Sequence, residues 1–118
     1  MMKKSEITTT ELGRFGEKAA ADYLKKKGYR ILEKNFRAGK NEIDIIASRK
    51  KEIVFVEVKT RIGDKFGTPR EAVTKTKQQR YYKIAECYWL KTGEEPNARF
   101  DVIEVYEDGH IEQYKNAF

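Results

Sequence analysis

One cysteine and one histidine occur among the 118 residues. A lone Cys87 permits no disulfide within the chain and supplies no thiolate cluster for zinc, which points to a reducing compartment. The sole histidine, His110, falls in a turn-like stretch, which argues against nucleases and zinc hydrolases that need several imidazoles. Long apolar runs are also lacking. No stretch approaches the roughly 18 apolar residues that cross a bilayer, and no apolar segment follows the basic Met1-Met2-Lys3-Lys4. The expectation is a cytoplasmic chain with no membrane partner. There are no internal repeats and no low-complexity tract. The length allows one core but not two, so residues 1–118 are expected to form a single domain, with 1–7 and 115–118 as flexible ends.

What the chain has in abundance is charge. Asp, Glu, Lys and Arg make up 37% of it, well above the usual quarter, with a formal net charge of +6. Such an excess favours polyanions, and nucleic acid is the commonest, although many basic proteins bind none.

Two short alternating runs, Asn41 to Ser48 and Ile53 to Thr60, read as strands joined by a hairpin over Arg49, Lys50, Lys51 and Glu52. If Ser48 faces Ile53, antiparallel pairing sets Asp44 opposite Glu57 and Glu42 opposite Lys59. Alternation then collects Glu42, Asp44, Glu57 and Lys59 on one face, with Ile43, Ile45, Ala47, Val54, Val56 and Val58 on the other. Like charges directly opposite repel, and desolvation beside an apolar sheet adds to the cost. A divalent cation would reverse that sign, and Mg²⁺ is commonly held by one or two carboxylates together with waters and substrate phosphates.

The rest of the pattern frames this hairpin. A helix is expected over about residues 9–27, with Thr8 and Glu11 as a capping box and Leu12, Phe15, Ala19 and Tyr23 as its apolar stripe. Glu17 lies at the edge of that stripe, where it either leans toward the hairpin or is an ordinary solvated glutamate. Tyr29 to Phe36 reads as the first strand, with a turn over Ala38 to Asn41. Thr60 to Gly67 is a basic loop that suits a phosphate grip or a solvated connector equally well. Thr68-Pro69-Arg70-Glu71 starts a helix that pauses at Thr74 and continues through Leu90. Val73, Lys77, Tyr81, Ile84 and Tyr88 share a stripe, so Lys77 either snorkels to the rim or points at something negative. Lys75, Lys77, Arg80 and Lys83, interleaved with Tyr81 and Tyr82, suit phosphates and sugars or form a solvated face. Tyr88 and Trp89 read as core. After a loop over Glu94 to Asn97, Arg99 to Tyr106 and His110 to Tyr114 are strands joined at Asp108-Gly109.

Asp44 followed by Glu57-Val58-Lys59 on the next strand resembles the Asp…Glu-x-Lys signature of the metal-dependent nucleases of the restriction-endonuclease-like superfamily, PD-(D/E)xK. The chain resembles in particular the YraN-like family of small bacterial proteins, which belongs to that superfamily together with archaeal Holliday-junction resolvases. The marks run from Gly13-Arg14-Phe15-Gly16-Glu17, Ala20 and Tyr23-Leu24 through Gly28-Tyr29, Asn35-Phe36-Arg37, Glu42-Ile43-Asp44 and Phe55-Val56-Glu57-Val58-Lys59 with Arg61. They continue with Phe66-Gly67, Glu71-Ala72-Val73, Lys77 and Arg99-Phe100-Asp101-Val102-Ile103. Asn41 departs from the family's usual glycine, but Asn also tolerates positive φ.

The resemblance implies an α/β fold with an αβββαβ core, a central mixed sheet flanked by helices, here with an extra C-terminal strand. It implies Asp44 and Glu57 as metal ligands, Lys59 as catalytic lysine and Glu17 as the first-helix glutamate that joins the metal site. The expected cofactor is Mg²⁺ or Mn²⁺. The expected activity is hydrolysis of phosphodiester bonds in DNA, in preference to RNA, including branched DNA, with Arg61, Lys75, Lys77, Arg80 and Lys83 gripping the backbone. Resolvase-like relatives act as dimers on two-fold junctions, which fits a homodimer. The alternative is a nucleic-acid-binding module without catalysis, or a partner subunit of a repair or processing complex.

Overall fold

The computed structural model describes residues 9–61, 75–93 and 97–117. The capping threonine Thr8, the loop beyond Arg61, the helix start at Thr68 to Glu71 and most of the loop around Pro96 lie outside the described residues. The elements are α1 (Thr9–Lys26), β1 (Arg30–Ala38), β2 (Asn41–Arg49), β3 (Glu52–Arg61), α2 (Lys75–Thr92), β4 (Asn97–Tyr106) and β5 (Ile111–Tyr114). This is the expected αβββαβ order with a further C-terminal strand. No helix among the described residues is long and apolar enough to cross a membrane.

The strands form one sheet in the order β1-β2-β3-β4-β5. Only β3 and β4 run parallel, because α2 intervenes between them in the chain, and the other neighbours are antiparallel. One helix covers each face. Ala20, Ala21 and Leu24 of α1 pack with Ile45, Ala47, Val54, Val56, Ile103 and Val105. On the other side Tyr81, Ile84, Ala85 and Tyr88 of α2 pack with Ile43, Ile46, Phe55 and Phe100, and Trp89 joins them as expected for core. Phe55 stands at the centre of that side, 5.2 Å from the Phe100 ring and 5.5 Å from Trp89.

The contact face of α1 is rotated from the expected stripe. Phe15 is 49% exposed, while Gly16 and the alanines face the sheet. Small residues carry little hydrophobic signal, yet they let the helix lie close to β3. A Cβ built on Gly16 would fall 2.1 Å from the Thr60 hydroxyl oxygen.

The β2–β3 hairpin has the expected register, with Ser48 opposite Ile53, but its loop is only Lys50-Lys51, since Arg49 and Glu52 pair. Both lysines have positive φ, 51° and 66°. The alternation expected for β2 also breaks. Ile45 faces α1 whereas Ile43 faces α2. The break lies between the pairs Lys34↔Ile45 and Phe36↔Ile43, where β1 has Asn35 at φ 52° and β2 has Asp44. Two residues that should share a face are thus separated by a local twist at the site's own aspartate.

Beyond β5 the chain end expected to fray is tied down through residue 117. Asn116 donates its amide to Asp101 Oδ1, and the buried Ala117 donates to the Phe100 carbonyl at 2.9 Å.

Candidate active site

Strands β2 and β3 are paired from Arg49↔Glu52 to Ile45↔Val56. Beyond that pair the ladder is replaced by a side chain. The Val58 amide donates to Asp44 Oδ2 at 2.7 Å, so the carboxylate fills the notch where the strands part. The expected pairing of Glu42 with Lys59 does not form. Glu42 instead lies opposite Arg37 of β1 and makes a 3.2 Å ion pair with it.

Glu57 comes next on β3, 6% exposed on the α2 side. Its Oε1 accepts from Lys77 Nζ at 2.8 Å and lies 3.0 Å from Lys59 Nζ. Lys77 therefore takes the second of its two readings and points at something negative. Glu57 Oε2 is buried and has no hydrogen-bond partner. An orphaned carboxylate oxygen is costly in a protein interior, which makes this atom the most reactive feature of the site toward a cation.

The electrostatics separate the two acids. Burial raises the Asp44 carboxyl to about 6, against the Val58 hydrogen bond, and the charges of Glu17, Glu57 and Glu42 push the same way. Burial also acts to raise Glu57, but its hydrogen bonds to Lys77 and Lys59 outweigh that and hold it below the usual glutamate value. Tyr81 is driven upward by burial and by the charge of Glu57, so its hydroxyl stays protonated beside the acids.

Glu17 sits on α1 within electrostatic reach of Asp44, and Asn35 Nδ2 donates to its Oε2 at 3.3 Å. The left-handed Asn35 and the aspartate facing it thus tie the first helix to the split in the sheet. Arg61, at the end of β3, is bonded to the buried Glu104 of β4 at 2.8 Å. Lys75, Arg80 and Lys83 are exposed along α2. A small cleft of about 130 Å³ lined by Lys40, Glu42, Lys77, Arg80 and Tyr81 leads away from the acids between the β1–β2 turn and α2.

The sequence points to Asp44, Glu57, Lys59 and Glu17 but not to the Val58 amide or Glu104, and it singles out Tyr81 and Asn35 without placing them beside the acids. Glu104 carries a signal of its own, an acid inside an apolar strand.

Among the described residues no three carboxylate, imidazole or thiolate side chains form a group that could hold a metal ion by themselves. Two carboxylates beside each other, one with a bare buried oxygen, do fit Mg²⁺ or Mn²⁺, which take hard oxygen donors and complete their shells with water and phosphate.

Comparison with known proteins adds the family. The profile of the Uncharacterised protein family UPF0102 matches residues 16–105, which include every member of this site. The chain belongs to the UPF0102 family. A UPF0102 protein of Thermodesulfovibrio yellowstonii is 53% identical over 108 residues, spanning 92% of this chain and 96% of that one. Another, from Caldanaerobacter subterraneus, is 53% identical over 89% of this chain and 85% of its own. Membership bears out the YraN-like resemblance. Among solved structures, Pyrococcus furiosus SfsA in complex with Ca²⁺ superposes with a TM-score of 0.33 at 14% identity, covering 93% of this chain and 64% of that one, too slight a likeness to carry an argument.

Proposed function

We propose that this UPF0102 protein is a cytoplasmic, divalent-metal-dependent endonuclease that hydrolyses phosphodiester bonds of DNA. The observation that carries this reading is the bare, buried Oε2 of Glu57 beside an Asp44 whose burial and acidic neighbours disfavour its charge. A cation held between the two carboxylates relieves both strains at once. Asp44 and Glu57 would hold Mg²⁺ or Mn²⁺, with Glu17 assisting from α1. Bound there, the ion would polarise the scissile phosphate and lower the pKa of water.

The chain's own groups do the remainder. Val58 fixes one Asp44 oxygen, which leaves the other oriented by the backbone rather than by a flexible rotamer. Lys59, 3.0 Å from Glu57, orients the attacking water or offsets charge growing on the phosphate. The exposed Lys75, Arg80 and Lys83 grip the sugar-phosphate backbone, a contact that gives affinity without sequence preference, while Lys77 and Arg61 are engaged by Glu57 and Glu104. The superfamily resemblance favours branched DNA and a homodimer.

Titration of Mg²⁺ and Mn²⁺ against plasmid, linear and four-way-junction DNA tests the reading. Cleavage by the pure protein that Asp44→Ala abolishes is the expected result. Wild type and variant equally inert on all three substrates would overturn it.

One observation favours a second reading, a nucleic-acid-binding module or partner subunit without catalysis. Glu57 Oε1 already faces two ammonium groups, so its charge is largely compensated with no metal present. That reading predicts salt-sensitive binding that needs no divalent ion and survives Glu57→Ala.

A further inference from the structure

At the other end of the sheet, the C-terminal end of α1, the end of β2 and the β5 segment enclose a cleft of about 380 Å³ lined by Tyr23, Lys27, Tyr29, Arg49, Gln113 and Lys115. Arg49 lies five residue steps along β2 from Asp44, about 17 Å at the rise of an extended strand. The cleft is therefore distinct from the acidic site and does not depend on any cleavage there.

Its lining holds three cations and no carboxylate. Glu52 and Asp101, the acids at this end of the sheet, are both bonded to Arg99, which takes Asp101 at 2.8 Å and Glu52 at 2.7 Å. None of Lys27, Arg49 and Lys115 has a carboxylate partner among the described residues. Two of the three are also held in place. The Arg49 guanidinium lies 4.4 Å from the Tyr29 ring centre and donates to the Lys27 carbonyl at 3.0 Å, while the Lys27 ammonium lies 5.5 Å from the Tyr23 ring centre. Long cationic side chains that are already ordered lose less freedom when an anion arrives.

The negative end of the α1 dipole would oppose an anion, but the carbonyls of Tyr23, Leu24 and Lys25 in its last turn, and that of Lys27 just beyond it, accept hydrogen bonds. Leu24 accepts from Tyr29, Lys25 accepts from Gly28, and Lys27 accepts from Arg49. Tyr29 is only 5% exposed, so it offers no face on which a base could stack. Charge and hydrogen-bond donation are what the cleft presents.

We propose that this cleft binds a phosphate monoester. Such a group carries close to two negative charges at neutral pH and several acceptor oxygens, which matches three cations lining one cleft better than a singly charged diester does. It is supplied either by a free nucleotide or by the phosphorylated end of a nucleic-acid strand.

The test uses the full chain in EDTA, so that the acidic site is silent. Calorimetry with adenosine monophosphate reads the free source, and anisotropy with 5′-phosphorylated, 3′-phosphorylated and unphosphorylated single strands reads the strand end. Binding of the mononucleotide, or preference for a phosphorylated strand, is expected to weaken on the order of tenfold in Lys27→Gln/Lys115→Gln. Both residues are exposed, so the melting temperature should not move and a folding defect is distinguished from lost binding. Arg49 is left intact because it also caps α1. No binding of the mononucleotide together with equal affinity for all strands would overturn the proposal. So would a preference that survives the double substitution.

Discussion

Asp44 accepts the Val58 amide at 2.7 Å at the point where β2 and β3 cease to pair. A backbone donor that would otherwise serve the sheet is spent on fixing a buried acid. The arrangement costs stability unless a cation is present, and that cost has a measurable pH signature.

The folded Asp44 carboxyl titrates at about 6 against an ordinary 3.8, so the folded state binds the proton more tightly than the unfolded chain. Stability must then fall as pH rises from about 4 to about 6, and the deficit persists above that. Asp44→Asn keeps an oxygen acceptor for Val58 and removes the charge. Denaturant titrations should show it more stable than wild type by about 1–3 kcal/mol at pH 8 and nearly equal at pH 4. Mg²⁺ should stabilise the wild type and not the variant. Equal stability of the two proteins at pH 8 would refute the electrostatic account of the site.

Glu57 works in the opposite direction. Its carboxyl is held low by Lys77 and Lys59, so its contribution is present above the ordinary glutamate value of 4.5 and is lost as pH falls through its folded value. Lys77→Met leaves the buried acid with Lys59 alone and should cost about 1–3 kcal/mol at pH 7. Adding Glu57→Gln to Lys77→Met should recover part of that loss. A double-mutant cycle reads the coupling, and strict additivity of the two changes would show that the pair does not interact.

The close approach of α1 to β3 makes a prediction with a change of sign. Gly16→Ala places a Cβ 2.1 Å from the Thr60 hydroxyl oxygen but at an ordinary 3.5 Å from the Thr60 Cβ. Overpacking should outweigh the roughly 1 kcal/mol gain of alanine over glycine in a helix, so the single variant loses about 1 kcal/mol. In a Thr60→Ala background the clash is gone, and the same substitution should become neutral or stabilising. Thermal unfolding of the four proteins decides it.

The element order and the Ser48 to Ile53 register were legible because periodicity and turn positions record them locally. The face change between Ile43 and Ile45 was not. It arises from a left-handed Asn35 whose side chain reaches Glu17, eighteen residues away, and no local pattern encodes that contact. Of the expected α1 stripe, Ala19 and Tyr23 pack on the core while Phe15 does not, and the burial of Gly16, Ala20 and Ala21 escapes periodicity because small residues contribute to packing through closeness rather than hydrophobicity. Lys77 stood out as a charge on an apolar stripe, yet its partner on β3 is visible only once the sheet exists. The hairpin loop is two residues shorter than its polar sequence suggests, because lysine carries none of the chemistry that marks a left-handed turn.

That turn is open to improvement. Non-glycine residues in the left-handed region each carry a cost of about 1–2 kcal/mol, which Asn-Gly reduces. Lys50→Asn/Lys51→Gly should therefore raise stability by about 1–2 kcal/mol, seen as a higher denaturation midpoint with an unchanged slope. No gain would mean that the lysines are not strained in solution.

The Arg99 network should show the reverse balance. Asp101 is fully buried and accepts from Arg99 through both carboxylate oxygens, at 2.8 and 3.0 Å, with Gln113 Nε2 and the Asn116 amide completing its partners. Arg99 also reaches Glu52 and the Tyr29 hydroxyl, so one guanidinium on β4 ties β3 to the residue that precedes β1. Arg99→Met leaves a buried carboxylate without its counter-charge and should cost about 3–5 kcal/mol. Glu52→Gln removes a partner that is 38% exposed and should cost less than about 1 kcal/mol. Comparable losses in the two variants would mean that the network stabilises through its surface pair rather than its buried one. Asp101→Asn distinguishes these, because the amide keeps the shape while giving up the charge that Arg99 neutralises.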